Sequence, residues 1–224
     1  MFRKNILIGL LITSLIILSC ISISGCLDER DSQENNTTSG EVTEYEGKQL
    51  TPISEQRNNA IEGTQYIDRD TYELQVYGLV ENPQNLSYEQ LLSYPSTTRF
   101  VRLDCVEGWG FDAIWTGVPL STIFEEVQVE DNATNVIFYC ADGYSTSLEL
   151  GYLVENDIML AYELNNVTLP SERGFPLQVV AEGKYGYKWA KWVTAIEITD
   201  QPYEGYWERV GYSNNAEVGG PAFE

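Results

Sequence analysis

Beyond residue 70, apolar residues come mostly in strand-length blocks, at 136–140, 158–162, 177–181 and 192–198. Gly- and Asn-rich turns separate them. Blocks this short, bounded by turn residues, suit strands rather than core helices. The stretch Tyr72-Glu73-Leu74-Gln75-Val76-Tyr77 alternates apolar and polar residues before Gly78, the pattern of a half-buried strand. Helical signals are brief. Ser87 with Gln90 forms a capping-box pattern ahead of Leu91, Leu92 and Tyr94. Leu120, Ile123, Phe124 and Val127 recur at helical spacing. The expected fold class is α+β, a strand-rich mixed-sheet domain with short helices.

The chain divides unevenly. Arg3 and Lys4 precede an almost wholly apolar or small-residue stretch at 6–23, then Ser24-Gly25-Cys26. A positive start, an apolar core and a small-residue end make a signal peptide over 1–26. A cysteine after Ser-Gly resembles a lipobox, so Cys26 is the expected lipidation site. The other reading of 6–23 is an uncleaved anchor of marginal spanning length. Both place the domain outside the cell, tethered to the membrane. Residues 27–45 are rich in Asn, Thr, Ser, Glu and Gly and read as a flexible acidic tether. Residues 46–224 form the expected functional domain, ample for one core.

The chain has 224 residues, a formal charge of −21 and no histidine. That charge repels nucleic acid and anionic lipid surfaces, so no nucleic-acid partner is expected. The missing histidine excludes His-dependent triads, His-ligated haem and ordinary His-bearing zinc sites.

Cys105 lies in Leu103-Asp104-Cys105-Val106-Glu107-Gly108-Trp109, a tight glycine-bearing turn with Arg99 and Arg102 just upstream. A thiolate beside cations is a soft metal ligand. Cys140 is the other cysteine beyond the tether, so a Cys105–Cys140 disulfide is the competing reading. Arg173, Lys184, Lys188 and Lys191 cluster in sequence, and Gly183-Lys184-Tyr185-Gly186-Tyr187-Lys188-Trp189 joins two predicted strands. Such a loop suits an anion beside a flat ring, and equally a lysine-decorated hairpin.

Together these blocks resemble the molybdopterin-binding domain of the sulfite oxidase family. The resemblance rests on Arg57-Asn58-Asn59, the Cys105 block, Trp115-Thr116-Gly117-Val118-Pro119-Leu120, and Asp142-Gly143-Tyr144-Ser145-Thr146-Ser147. It continues through Leu160-Ala161-Tyr162-Glu163-Leu164-Asn165, Gly174-Phe175-Pro176-Leu177 and Tyr185-Gly186-Tyr187-Lys188-Trp189-Ala190-Lys191. It implies molybdopterin carrying molybdenum, or tungsten, with Cys105 as the metal ligand. It implies cofactor contacts from Arg57, Asn58, Asn59, Arg173, Gln178, Lys188, Trp189 and Lys191. Cys140 falls beside the pterin as a free, buried thiol, and Tyr144 in the substrate pocket.

Three departures shape the expected function. Asn59 stands where the family has histidine, which keeps hydrogen bonding and loses titration. Val106-Glu107-Gly108-Trp109-Gly110 replaces the arginine-rich segment of sulfite-oxidising members, and Glu107 disfavours an anionic substrate. This resembles exported bacterial members that reduce sulfoxides. The signal offers Arg3-Lys4 where folded cofactor proteins use twin arginines. The expectation is a membrane-tethered extracytoplasmic oxidoreductase transferring an oxygen atom on a small substrate, with a separate electron carrier. The alternative is a metal-free binding or structural module on the same fold.

Overall fold

The computed structural model describes residues 39–223. The expected signal, Cys26 and most of the tether lie outside the described residues. Among the described residues no helix is long and apolar enough to cross a membrane.

The elements run β1 (Glu44–Tyr45), β2 (Lys48–Gln49), β3 (Glu73–Gly78), β4 (Gln84–Ser87), α1 (Tyr88–Ser93), β5 (Thr97–Asp104), β6 (Gly110–Pro119) and α2 (Leu120–Val127). They continue with β7 (Asn135–Cys140), β8 (Ser145–Glu149), α3 (Leu150–Glu155), β9 (Met159–Leu164), β10 (Val167–Thr168), β11 (Gln178–Val180) and β12 (Val193–Thr199). Two five-stranded sheets form the body. One is antiparallel in the order β10-β9-β6-β5, and β10 and β11 share the outer side of β9. The other runs β4-β3-β12-β7-β8, and its β3–β12 pair is parallel, which makes it mixed. This is the expected strand-rich α+β fold.

Local sequence accounts for the helices. Ser87 accepts from the Gln90 N–H at 3.3 Å, and the Gln90 side chain accepts from the Ser87 N–H at 2.9 Å. This reciprocal cap starts α1. In α2 the residues Leu120, Ile123, Phe124 and Val127 are all buried. Each contributes on the order of 1.5–3 kcal/mol by leaving water. They join one continuous core with residues of both sheets, including Trp115, Phe138 and Leu164.

Two sequence expectations change. The tether was expected to reach residue 45, but residues 41–49 dock on the body. The Val42 N–H donates to the Asn165 carbonyl at 3.0 Å, and Glu41 accepts from the Ile53 N–H at 2.7 Å. The buried Asn165 amide donates to Glu41 at 3.1 Å and to the Thr51 carbonyl at 3.0 Å, tying this segment down. Second, Arg99 and Arg102 lie on β5 and do not serve Cys105. Arg99 pairs with Glu182, and Arg102 pairs with Asp104 and Asp112.

Candidate functional site

The β5–β6 hairpin carries Cys105 at its tip. The Cys105 N–H donates to the Trp109 carbonyl at 2.7 Å, and the Gly108 N–H returns to the Cys105 carbonyl at 3.0 Å. Gly108 sits at φ +85°, a left-handed conformation that glycine adopts without strain. The turn leaves the thiol part-exposed and free. Burial is the largest influence on it and pushes it up. Backbone N–H groups of Glu107 and Val106 and the charge of Arg57 favour the thiolate, while Glu107 opposes it.

A second segment, 56–61, is shaped by Arg173. This arginine ends a 3-10 turn, Ser171–Arg173, and is buried. Its guanidinium donates to the carbonyls of Arg57 at 2.6 Å, Ile53 at 3.1 Å and Gln56. Its Nε is buried without a partner. Burial lowers its pKa to about 10. The carbonyls fix the backbone on which Arg57, Asn58 and Asn59 project.

Lys191 closes this group. Its ammonium donates to the Asn58 side chain and the Asn59 carbonyl, and lies 4.5 Å from the Trp192 ring centre. Burial, then the charge of Arg173, lowers its pKa to about 8, with Asp142 and Cys140 opposing. Gly174, at φ +105°, makes room: a Cβ there would lie 2.9 Å from the Lys191 Cβ.

One cavity of about 440 Å³ joins these parts. Of the sequence-predicted residues, Cys105, Tyr144, Arg57, Asn58, Asn59, Arg173, Gln178, Trp189 and Lys191 line it. Trp189 is buried, with its Nε1 donating to the Lys184 carbonyl at 3.0 Å. Tyr144 commits its hydroxyl proton to the Tyr187 carbonyl. At the rim, Glu107 accepts from Trp109 Nε1 at 2.8 Å and Asn59 Nδ2 at 3.3 Å. These donors hold its carboxyl below the usual range.

Two expected contacts are corrected. Lys188 does not line the cavity: it is fully buried and paired with Glu208 at 2.5 Å. Its nearness to Lys191 in sequence is not shared orientation, because the 3-10 turn Gly186–Lys188 sends the two side chains to different partners. Cys140 is a free buried thiol at the end of β7 and also lies outside the lining. Burial pushes it well up. Cys105 and Cys140 are both free, so the disulfide reading is not what the structure holds.

Sequence reasoning missed Asp142, Tyr187, Trp207 and Tyr212 as lining residues. Burial pushes the half-buried Asp142 carboxyl up, while N–H groups of Tyr144 and Ile61 favour its charged form. The only signal for Trp207 was its place in an aromatic block near the end of the chain.

Among the described residues, Arg57, Arg173 and Lys191 have no carboxylate within salt-bridge distance, a property shared outside the cavity by Lys48 and Arg209, in contrast to Arg69, Arg99, Arg102, Lys184 and Lys188. Nor does any group of three or more His, Cys, Asp or Glu converge as a metal site among them. A single thiol beside unneutralised cations fits a metal that arrives with sulfur ligands on an anionic carrier. This defines a protein built to bind an anionic metal-bearing redox cofactor.

Residues 61–207 match the family described as the oxidoreductase molybdopterin binding domain, and the chain belongs to that family. It is a sulfite oxidase-family molybdopterin-binding domain and an oxidoreductase whose cofactor is molybdopterin with molybdenum. It is 38% identical over 148 residues to the uncharacterized oxidoreductase YuiH of Bacillus subtilis, a match covering 66% of this chain and 75% of YuiH. It is 33% identical over 147 residues to the putative protein-methionine-sulfoxide reductase subunit YedZ1 of Azospira oryzae, covering 66% and 56%. Among solved structures, the sulfane dehydrogenase SoxCD of Paracoccus pantotrophus matches with a TM-score of 0.61 at 28% identity, over 63% of this chain and 41% of that one. The match therefore spans little more than half of YedZ1 and less than half of that SoxCD chain.

Proposed function

We propose that this protein reduces a small neutral sulfoxide to the sulfide, taking electrons from a separate carrier. The reaction consumes two electrons and two protons per oxygen atom removed and releases water. One observation carries the reading: a single cavity joins the Cys105 thiol to three cations that have no carboxylate within salt-bridge distance among the described residues. When bound, the molybdenum cofactor supplies the two-electron, oxygen-exchanging centre.

The chain's own groups divide the remaining tasks. Arg173, which is buried, and Lys191, which is half-buried, would hold the cofactor's phosphate, because partly desolvated cations are strong partners for a multiply charged anion. Arg57, Asn58 and Asn59 would bind its polar edge from the backbone that Arg173 orders. Cys105 would bind the metal as thiolate, aided by two backbone N–H groups and Arg57. Gln178 and Trp189 would pack along the cofactor, and Tyr144 forms part of the pocket wall. Glu107, fixed by two donors, presents negative charge at the mouth and disfavours sulfite relative to an uncharged sulfoxide. The name of YedZ1, a putative protein-methionine-sulfoxide reductase subunit, supports a sulfoxide substrate and, through the word subunit, a separate partner protein.

The same proposal puts the domain on the outer face of the cell membrane, anchored by lipid on Cys26 once the signal before it is removed, with the acidic segment that follows as the tether. The signal-like pattern before Cys26 supports it.

The test is expression of the full chain with cofactor supply. Wild type should hold close to one molybdenum or tungsten per chain and reduce methionine sulfoxide with a reduced dye, and it should not oxidise sulfite at a comparable rate. Cys105→Ser should abolish turnover while unfolding at an unchanged temperature. Metal-free wild type, or full activity in Cys105→Ser, would overturn the reading. A lipid label should appear on wild type and vanish in Cys26→Ser.

A further inference from the structure

The family match ends at residue 207, yet the segment beyond it helps to build the cavity. Trp207 and Tyr212 both line it, with ring centres 5.2 Å apart. Tyr212 also meets Tyr187, a third lining ring, edge-on at 5.2 Å. These rings give one part of the cavity an apolar, aromatic wall.

A buried polar cluster fastens this wall to the body. Glu208 and Lys188 pair at 2.5 Å with side chains 1% and 0% exposed. Thr146 donates to the same carboxylate oxygen at 2.6 Å. The Lys188 ammonium also donates to the Ser147 carbonyl at 3.0 Å and the Asn214 side chain at 2.8 Å. Beside them, the Tyr187 hydroxyl donates to the Ser213 carbonyl at 2.8 Å, and the Tyr206 N–H donates to the Ser145 carbonyl at 2.9 Å. Gly205 packs so closely that a Cβ there would meet the Ser145 carbonyl oxygen at 2.3 Å. From its other side, the turn bearing Lys188 abuts the cysteine hairpin: a Cβ on Gly186 would lie 3.9 Å from the Cys105 Cα.

A buried ion pair is a poor source of net stability, because desolvation offsets its attraction. What it does supply is a fixed geometry. Here the fixed geometry is the placement of residues 205–213 against the cavity.

We propose that Glu208 is a positioning residue of the site: through Lys188 it locks Trp207 and Tyr212 into a wall that receives an apolar substituent of the sulfoxide. The wall therefore selects aryl or bulky alkyl sulfoxides over dimethyl sulfoxide. This rests on the sulfoxide-reductase reading and adds to it a substrate class and a device that sets it.

The experiment uses the full cofactor-loaded chain with methyl phenyl sulfoxide and dimethyl sulfoxide as probes. Molybdenum per chain, KM and kcat are measured for wild type, Tyr212→Ala, Glu208→Gln and the double variant Lys188→Met, Glu208→Leu. Tyr212→Ala should raise KM for the aryl sulfoxide about three- to tenfold, the worth of one aromatic contact. It should leave the dimethyl sulfoxide KM within about twofold, and molybdenum content unchanged. Glu208→Gln should give the same KM pattern and make the segment after residue 200 sensitive to protease. Should Glu208→Gln fail to fold, the double variant, which leaves no buried charge, carries the same prediction. A purely structural role would lower kcat for both substrates and molybdenum content together, and would overturn the proposal. So would an unchanged aryl preference in Tyr212→Ala. Titrating unloaded protein with methyl phenyl sulfide, followed by tryptophan emission, reads the wall without turnover. If that binding weakens in Tyr212→Ala while wild type shows no reductase activity, the reductase reading fails and the wall stands. If reductase activity is present and binding is unaffected, the wall fails alone.

Discussion

Replacing Lys191 with methionine tests the anion site through folding stability alone. Burial, then Arg173, lowers the Lys191 pKa from 10.5 to about 8 in the protein without cofactor. The shift disfavours the charged form in the fold by about 3 kcal/mol at 1.36 kcal/mol per unit. Between pH 8 and 10.5 the unfolded chain binds the proton that the folded chain has released. Stability therefore rises with pH across that window. Below pH 8 both states are protonated and the whole penalty remains. Other groups titrate in the same range, so the useful quantity is wild type minus Lys191→Met, measured by urea unfolding of cofactor-free protein at pH 7, 8, 9, 10 and 10.5. The difference should move in favour of wild type by about 3 kcal/mol between pH 7 and 10.5. Inorganic phosphate should stabilise wild type at pH 7 more than the variant, since the variant keeps Arg173 but lacks the ammonium. A difference that is flat or falls with pH would refute the argument that Lys191 is held as a half-buried, unneutralised charge.

Arg173→Lys keeps the charge but cannot reach three carbonyls in a fork, so residues 53–57 should loosen. The expected loss is about 2–4 kcal/mol, read by thermal unfolding, with faster amide exchange confined to that segment. Asn165→Ala removes the donors that hold Glu41 and the Thr51 carbonyl and the acceptor for the Ile114 N–H. It should cost about 2–4 kcal/mol and expose the chain near residue 45 to protease. Gly174→Ala forces a side chain into left-handed backbone and against Lys191. A loss of about 1–3 kcal/mol, together with reduced molybdenum content, is expected from calorimetry and metal analysis.

The elements with a clean apolar signature were legible. The runs at 136–140 and 192–198 became β7 and β12, and the Ser87–Gln90 cap became the start of α1. The β5–β6 hairpin was not read as a unit, although it carries Cys105. β5 is the edge of its sheet, and three of its eight residues, Arg99, Arg102 and Asp104, are charges of the kind that blunt an exposed edge. The docking of residues 41–49 was hidden for a different reason. It centres on one buried amide, Asn165, with help from Glu41 on the Ile53 N–H and Lys48 over the Phe100 ring, and such long-range partners leave no local pattern. At the site, motif residues converged on one cavity because they sit on loops that the two sheets bring together. The aromatic wall was invisible because Trp207 and Tyr212 are ordinary aromatics in an aromatic-rich chain, and only the packing of Tyr212 on Tyr187 and of Trp207 on Tyr212 marks them.

Lys188 and Lys191 make the strongest comparison within the site. They are three residues apart, yet they meet burial in opposite ways. Lys188 is matched by Glu208 and by acceptors from Ser147 and Asn214, the arrangement of a charge that holds neighbouring segments in place and is not offered to a ligand. Lys191 has only neutral acceptors, and Arg173 beside it has only carbonyls. In a chain of net charge −21, carboxylates are abundant, so their absence within salt-bridge distance of these two cations is not a shortage of acid. A metal-free module would have no reason to leave them unmatched, because each such cation makes the fold less stable at neutral pH. An anionic cofactor in the same cavity as Cys105 gives the cost a purpose: it supplies the missing negative charge, so the site is most stable when it is filled.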